Sequence, residues 1–223
     1  MLKDGEVLEN FFGDKKIIQN VNLYRFTSDS ILLSKFATAK SGDRVADFCS
    51  GSGVVGFHFL CLNPNISSLT LFEMQEELAE MSSRTADING FSCKVENCKI
   101  QDIAESYNDY FSLVLCNPPY ERGGFDNKDY KKAVCRKEIE LTLKEVGAAA
   151  FKALKFGGRL CIVNRADRVA ELIYTLKECK LETKKLQFVS GAKDAKPYLV
   201  MAEAVKGGKP ETLLLPTVIN NDN

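Results

Sequence analysis

The sequence predicts an α/β fold: a doubly wound, mostly parallel seven-stranded sheet. Apolar runs of strand length alternate with helical periodicity from about residue 40 to 190, and no linker, repeat or long charge block interrupts them. Glycine-containing stop signals follow the helical stretches, at Asn89-Gly90 and Gly157-Gly158. The first strand is expected at 44–48, followed by an apolar helix at 54–62 and a strand at 68–72. A helix over 75–88 carries Leu78, Met81, Thr85 and Ile88 at helical spacing. Strands follow at 94–96 and 111–116. From residue 138, Ile139, Leu143, Val146, Ala150 and Leu154 form one helical face, ended by the two glycines. The remaining elements are a strand at 160–163, a helix at 168–179, and strands at 184–189 and 198–205. Sheets of this kind bind ligands outside the carboxyl ends of their strands, where strand order reverses.

Composition sets the outer limits. The chain has 223 residues, 45% hydrophobic and 27% charged, enough for one domain over 1–215 with a packed core, leaving 216–223 as a frayed, disordered tail. The longest apolar run, 54–62, is shorter than a membrane span and contains His58, which reads as a packing residue. The first residues carry Asp4, Glu6 and Glu9 rather than a basic start and apolar core, so a cytoplasmic location is the expectation; a monomer is expected as well. Eight cysteines lie mostly in apolar runs and form no Cys-x-x-Cys pair. With a single histidine they leave almost no material for a metal site, and no metal is expected. Thirty basic residues balance thirty acidic ones, so any nucleic-acid contact must be local.

The sequence after the first strand is Asp47-Phe48-Cys49-Ser50-Gly51-Ser52-Gly53-Val54-Val55-Gly56, a glycine-rich turn between strand and helix. Glycine there permits dihedrals closed to other residues and close approach of a ligand to the backbone. Glu73 ends the next strand, where an acid accepts hydrogen bonds from ribose hydroxyls. The pattern serves nicotinamide, flavin and S-adenosyl-L-methionine alike. Asp47, at the end of the first strand, suits the ammonium of adenosylmethionine and would repel a pyrophosphate. Asp102 is a candidate for an adenine amine.

Asn117-Pro118-Pro119-Tyr120 directly follows the strand at 111–116. A planar exocyclic nitrogen is a poor nucleophile because its lone pair is delocalised. Two acceptors that hold its hydrogens to one side favour a pyramidal nitrogen with the lone pair aimed at an electrophile. The Asn117 side-chain oxygen and the Pro118 carbonyl supply these acceptors. Consecutive prolines fix the backbone that carries both, and Tyr120 stacks on a planar substrate. A sulfonium donor arrives already activated, so alignment matters more than a strong base.

With these loops the chain resembles class I adenosylmethionine-dependent methyltransferases of the Asn-Pro-Pro-Tyr type, and specifically the bacterial tRNA1(Val) adenine-37 N6-methyltransferase family. The resemblance runs from about residue 8 to 210 and includes Phe26-Thr27-Ser28-Asp29-Ser30-Ile31-Leu32-Leu33, Arg136-Lys137-Glu138 and Leu154-Lys155-Phe156-Gly157-Gly158. It implies that the last strand runs antiparallel. It also implies that Asp29, Asp47, Gly51, Gly53, Glu73 and Asp102 line an S-adenosyl-L-methionine site, that Asn117, Pro118 and Tyr120 hold the target adenine, and that the partner is a tRNA. Arg122, Lys128, Lys131, Lys132 and Arg136, interleaved with Phe125 and Tyr130, make a local basic stretch beside the catalytic loop, suited to RNA phosphates. Asn-Pro-Pro-Tyr alone also fits N5-methylation of a glutamine in a protein such as a release factor. A glycine loop alone fits a non-catalytic nucleotide- or RNA-binding module.

Overall fold

The computed structural model describes residues 2–23, 28–119 and 141–220. Strands β1 (Glu6–Phe12) and β2 (Lys15–Asn20) form an antiparallel hairpin that turns at Gly13-Asp14, with Gly13 at φ 55°. Next come α1 (Ser28–Phe36), β3 (Arg44–Phe48), α2 (Val54–Leu62), β4 (Ser68–Glu73), α3 (Glu76–Asn89), β5 (Lys94–Asn97) and β6 (Phe111–Cys116). After them lie α4 (Leu143–Ala153), β7 (Leu154–Arg165), α5 (Val169–Glu178), β8 (Leu181–Ser190) and β9 (Leu199–Lys206), then the short strands β10 (Leu213–Leu214) and β11 (Val218–Ile219).

The main sheet has the order β10-β8-β9-β7-β6-β3-β4-β5, with β11 also paired to β8. The seven expected strands run contiguously from β8 to the edge strand β5, and β10 and β11 extend the sheet to nine strands among the described residues; all seven run parallel except β9, which lies antiparallel between β7 and β8. Chain order reverses at β3: β4 and β5 lie to one side, β6 and β7 to the other. Strand residues alternate between two cores. Ala46, Phe48, Val114, Leu160 and Ile162 face α4 and α5, whereas Val45, Leu113, Leu115, Cys161 and Val163 face α1 and α2. Burial on both faces explains why β6, Phe-Ser-Leu-Val-Leu-Cys, is buried at every position and shows no polar alternation.

Local signals account for three of the helix ends. Glu76 and Glu77 occupy the first turn of α3, where the helix dipole favours negative charge, and Gly90 ends the helix at φ 67°. Thr142 and Glu145 form a reciprocal capping box at the start of α4. Helix α2 is apolar all round and correspondingly buried between the sheet and the hairpin. Inside it, His58 Nδ1 lies 2.7 Å from Ser34 Oγ and the ring meets Phe12 edge-on, a packing role.

Three features depart from expectation. Helix α4 ends at Ala153, before the glycines: Tyr110 and Asp109 donate to the carbonyls of Ala153 and Lys152, and the Lys206 ammonium caps Phe151 and Leu154. The glycines lie instead in a bulge of β7, where pairing jumps from Phe111↔Leu154 to Leu113↔Arg159. The β1–β2 hairpin was not anticipated. The expectation of a frayed tail from residue 216 is corrected as far as Asn220, because Val218 and Ile219 pair with Val189 and Ser190 of β8. Among the described residues, no helix is long and apolar enough to cross a membrane.

A buried ion network fastens the base of the sheet. Arg159 bonds Asp43 at 2.7 Å and the Thr38 carbonyl, with Glu203 at 3.9 Å and Lys185 in turn 2.9 Å from Glu203. Removing the guanidinium strands buried carboxylates, so Arg159→Ala should lower the free energy of unfolding by about 3–5 kcal/mol. Urea denaturation checks this; a loss below about 1 kcal/mol, the scale of an exposed pair, would refute it.

Candidate active site

Strand register assembles the site. Phe48 of β3 pairs with Phe72 of β4 on one side and with Cys116 of β6 on the other. Glu73 and Asn117, each one residue further on, therefore stand at the same level on either side of the loop that leaves β3.

That loop is strongly bent: Cys49, Gly51 and Gly53 have φ of 57°, 56° and 87°. A side chain at Gly51 would project into open space, which leaves its backbone approachable. Gly56 does different work. A Cβ there would lie 2.6 Å from Leu71 and 3.0 Å from Asp47, so its hydrogen lets α2 pack closely on the sheet.

Asp47 is fully buried. Its Oδ2 accepts from the Gly56 amide at 2.8 Å, whereas Oδ1 has no hydrogen-bond partner among the described residues. Burial raises the carboxyl to about 8, the Gly56 bond opposes the rise, and the nearby Glu73 carboxylate adds to it. Glu73 binds the backbone on both sides: Oε2 accepts from Gly51 at 2.8 Å and Oε1 from Gln75 at 2.9 Å. Burial pushes it upward too, and those amides pull it back.

Asn117 donates through Nδ2 to Ser30 Oγ at 3.1 Å. Its Oδ1 is buried without a partner among the described residues, and Pro118 is buried as well. A directed, unsatisfied acceptor at a strand end, beside an approachable glycine backbone and an unpaired carboxylate oxygen, is equipped to take hydrogen bonds from an amine and to hold a cation.

A family model described as the methyltransferase small domain matches residues 26–189. The chain belongs to this family. It is thus an S-adenosyl-L-methionine-dependent methyltransferase by family. It is 22% identical over 160 residues to a tRNA1(Val) (adenine(37)-N6)-methyltransferase from Shewanella sp. (strain W3-18-1), a match that covers 70% of this chain and 66% of that one. A protein of the same name from Bacteroides thetaiotaomicron is 21% identical over 196 residues, 87% of this chain and 77% of the relative. The fold is shared with the crystal structure of a predicted O-methyltransferase from Agrobacterium tumefaciens. There the TM-score is 0.69 at 19% identity, over 85% of this chain and 86% of that one.

Not every expected site residue of the methyltransferase joins this cluster. Asp47, Gly51, Gly53, Glu73, Asn117 and Pro118 come together at adjacent strand ends. Asp29 lies half-buried in the first turn of α1, lining a cleft of about 440 Å³ with Arg165, Asp167, Lys196 and Tyr198. Asp102 is exposed in a short turn after β5. Tyr120, Arg122, Lys128, Lys131, Lys132 and Arg136 lie outside the described residues.

Sequence reasoning missed three supporting residues. Ser30 orients Asn117; buried Gln19 of β2 donates to Ser52 Oγ; and buried Ser82 of α3 donates to the Gly51 carbonyl at 2.9 Å. The small polar residue inside an otherwise periodic helix was the only available signal, at Ser82.

The raised Asp47 carboxyl sets a sign for pH dependence. Its contribution to stability is present below the ordinary value of 3.8 and is lost as pH rises through about 8. Asn at this position still accepts from Gly56 and carries no charge. Asp47→Asn should therefore resist urea better than the wild type at pH 8, with the advantage shrinking towards pH 4. An equal difference at both pH values would rule this out.

Proposed function

We propose that the chain is a cytoplasmic N6-adenine methyltransferase acting on tRNA, with adenine 37 of the tRNA1(Val) anticodon loop as its target. The observation that carries this reading is Asn117, whose amide is anchored at Nδ2 and whose Oδ1 is left as an unpaired acceptor at the end of β6. The names of the relatives support an adenine amine in tRNA as the group it receives.

The residues present fit the methyl donor. Asp47 Oδ1 is an orphaned buried acceptor for the ammonium, Gly51 leaves its backbone open, and each Glu73 oxygen keeps acceptor capacity for a ribose hydroxyl. Asp29 and Asp102 complete the proposed donor site at the methionine and adenine ends. When bound, S-adenosyl-L-methionine supplies an activated methyl group on a sulfonium.

The protein's task is then to bind and orient. Asn117 Oδ1 and the Pro118 carbonyl accept hydrogen bonds from the two amine N–H groups and concentrate electron density on nitrogen, Tyr120 is proposed to stack on the base, and the proton shed by the methylated nitrogen passes to solvent. No side chain needs to remove a proton before transfer, because the amine becomes acidic only as the new bond forms. Asp47 must be ionised to pair with an ammonium, so its proton is released when the donor binds near neutral pH. An anticodon-loop base is already largely unpaired, which lowers the cost of bringing it into such a pocket. The basic stretch Arg122, Lys128, Lys131, Lys132 and Arg136 is proposed to hold the RNA backbone.

Incubation with labelled donor and total bacterial tRNA, followed by digestion to nucleosides, should place the label in N6-methyladenosine; its absence there rejects the proposal. Asn117→Ala should lower kcat on the order of 10²–10³-fold, the scale of losing one directed hydrogen-bonding group, while donor affinity by calorimetry stays within about threefold. Equal loss of turnover and donor affinity would make Asn117 structural. Calorimetry in buffers of different ionisation enthalpy should register proton release on donor binding at pH 7. Proton uptake would exclude the Asp47 assignment.

A further inference from the structure

The first turn of α1 places two hydroxyls in separate hydrogen bonds. Ser30 Oγ accepts from Asn117 Nδ2 at 3.1 Å. Two residues earlier, Ser28 Oγ accepts from Asn220 Nδ2 at 2.9 Å, and the same nitrogen donates to the Tyr198 hydroxyl at 2.9 Å. Asn220 is only 7% exposed, and its backbone N–H donates to the Ser190 carbonyl at 2.8 Å directly after β11 pairs with β8. Both hydrogens of its amide are thus used on hydroxyls, one on α1 and one just ahead of β9.

An isolated helix of nine residues is not stable in water, and its first-turn amides have no partners within the helix. The apolar anchor of α1, Leu33, lies further along, so side-chain hydrogen bonds carry much of the positioning of its first turn. The end torsion of an asparagine is broad, so the contact that holds Nδ2 also sets where Oδ1 points.

We propose that Asn220 is a positioning residue for methyl transfer: by tying Ser28 to Tyr198 and the β8 edge, it holds Ser30 where Ser30 can fix the direction of Asn117 Oδ1. The proposal rests on the reading of Asn117 as the acceptor for the target amine. Asn220 lies outside the matched family range of 26–189.

The test compares full-length Asn220→Ala and Asn220→Asp with the wild type. A carboxylate at 220 accepts from both hydroxyls instead of donating to them, so Asn220→Asp keeps the tie while Asn220→Ala removes it. Two readouts are needed: kcat and donor KM on total tRNA, and the side-chain amide cross-peak of Asn117 in a nitrogen–proton spectrum, identified by its loss in Asn117→Asp. Asn220→Ala should lower kcat about tenfold, the scale of a small misplacement of a catalytic group, leave donor KM within about twofold, and shift or broaden the Asn117 peak. Asn220→Asp should restore both. An unmoved peak or unchanged kcat in Asn220→Ala overturns the proposal, as does failure of a folded Asn220→Asp to restore them. Full turnover in Asn117→Ala would instead overturn the acceptor reading, a result independent of the cross-peak comparison.

Discussion

Pairing of β3 with β4 and β6 in one fixed register is the constraint on which the site depends. Phe48 is matched to Phe72 and Cys116, so Glu73 and Asn117 emerge at one level beside the loop that begins at Cys49. A one-residue slip of β6 would turn Asn117 towards the opposite face of the sheet. The apolar alternation that fills two separate cores forbids that slip, and the core therefore acts as the alignment device for polar chemistry at its rim. The arrangement has a cost. Two carboxylates end adjacent strands in a dry environment, and both are pushed towards their neutral forms. The amides of Gly51, Gln75 and Gly56 offset part of it, the last within the first turn of α2, where the helix dipole favours negative charge.

Around this centre the glycine loop is restrained from three directions. Glu73 holds the Gly51 amide, Ser82 holds the Gly51 carbonyl, and Gln19 reaches Ser52 from the hairpin. Three left-handed residues in five would otherwise leave the loop with many accessible conformations. Restraint through side chains from β4, α3 and β2 leaves the open side of Gly51 facing outward, prepared for a ligand without reorganisation.

Much of this was legible in the sequence, for reasons that differ between elements. The parallel strands announce themselves because burial on both faces demands continuous apolar runs, as at 111–116. The clustering of the candidate residues was legible because strand ends next to glycines or prolines are where such sheets bind ligands, and Asp47, Glu73 and Asn117 do stand at adjacent strand ends. The β1–β2 hairpin was not: its strands lack clean alternation, β2 burying Ile17, Ile18 and Gln19 in succession, so only Gly13-Asp14 signalled the turn. The end of α4 was misplaced because it is set by a distant residue, Lys206, and by the entry of β6, neither of which is visible in the local pattern. Ser30, Gln19 and Asn220 are ordinary polar residues locally; their roles exist only through contacts far along the chain.

The insertion of β9 between β7 and β8 has a practical consequence. A fragment trimmed to the family boundaries, 26–189, would lose β9 and the β2 glutamine, leaving β8 without its neighbour and β7 with a bare edge in the middle of what had been a continuous sheet. Long unprotected apolar edges recruit other chains. The family boundaries would therefore be poor guides for expression: a fragment that keeps the sheet continuous must reach past Lys206.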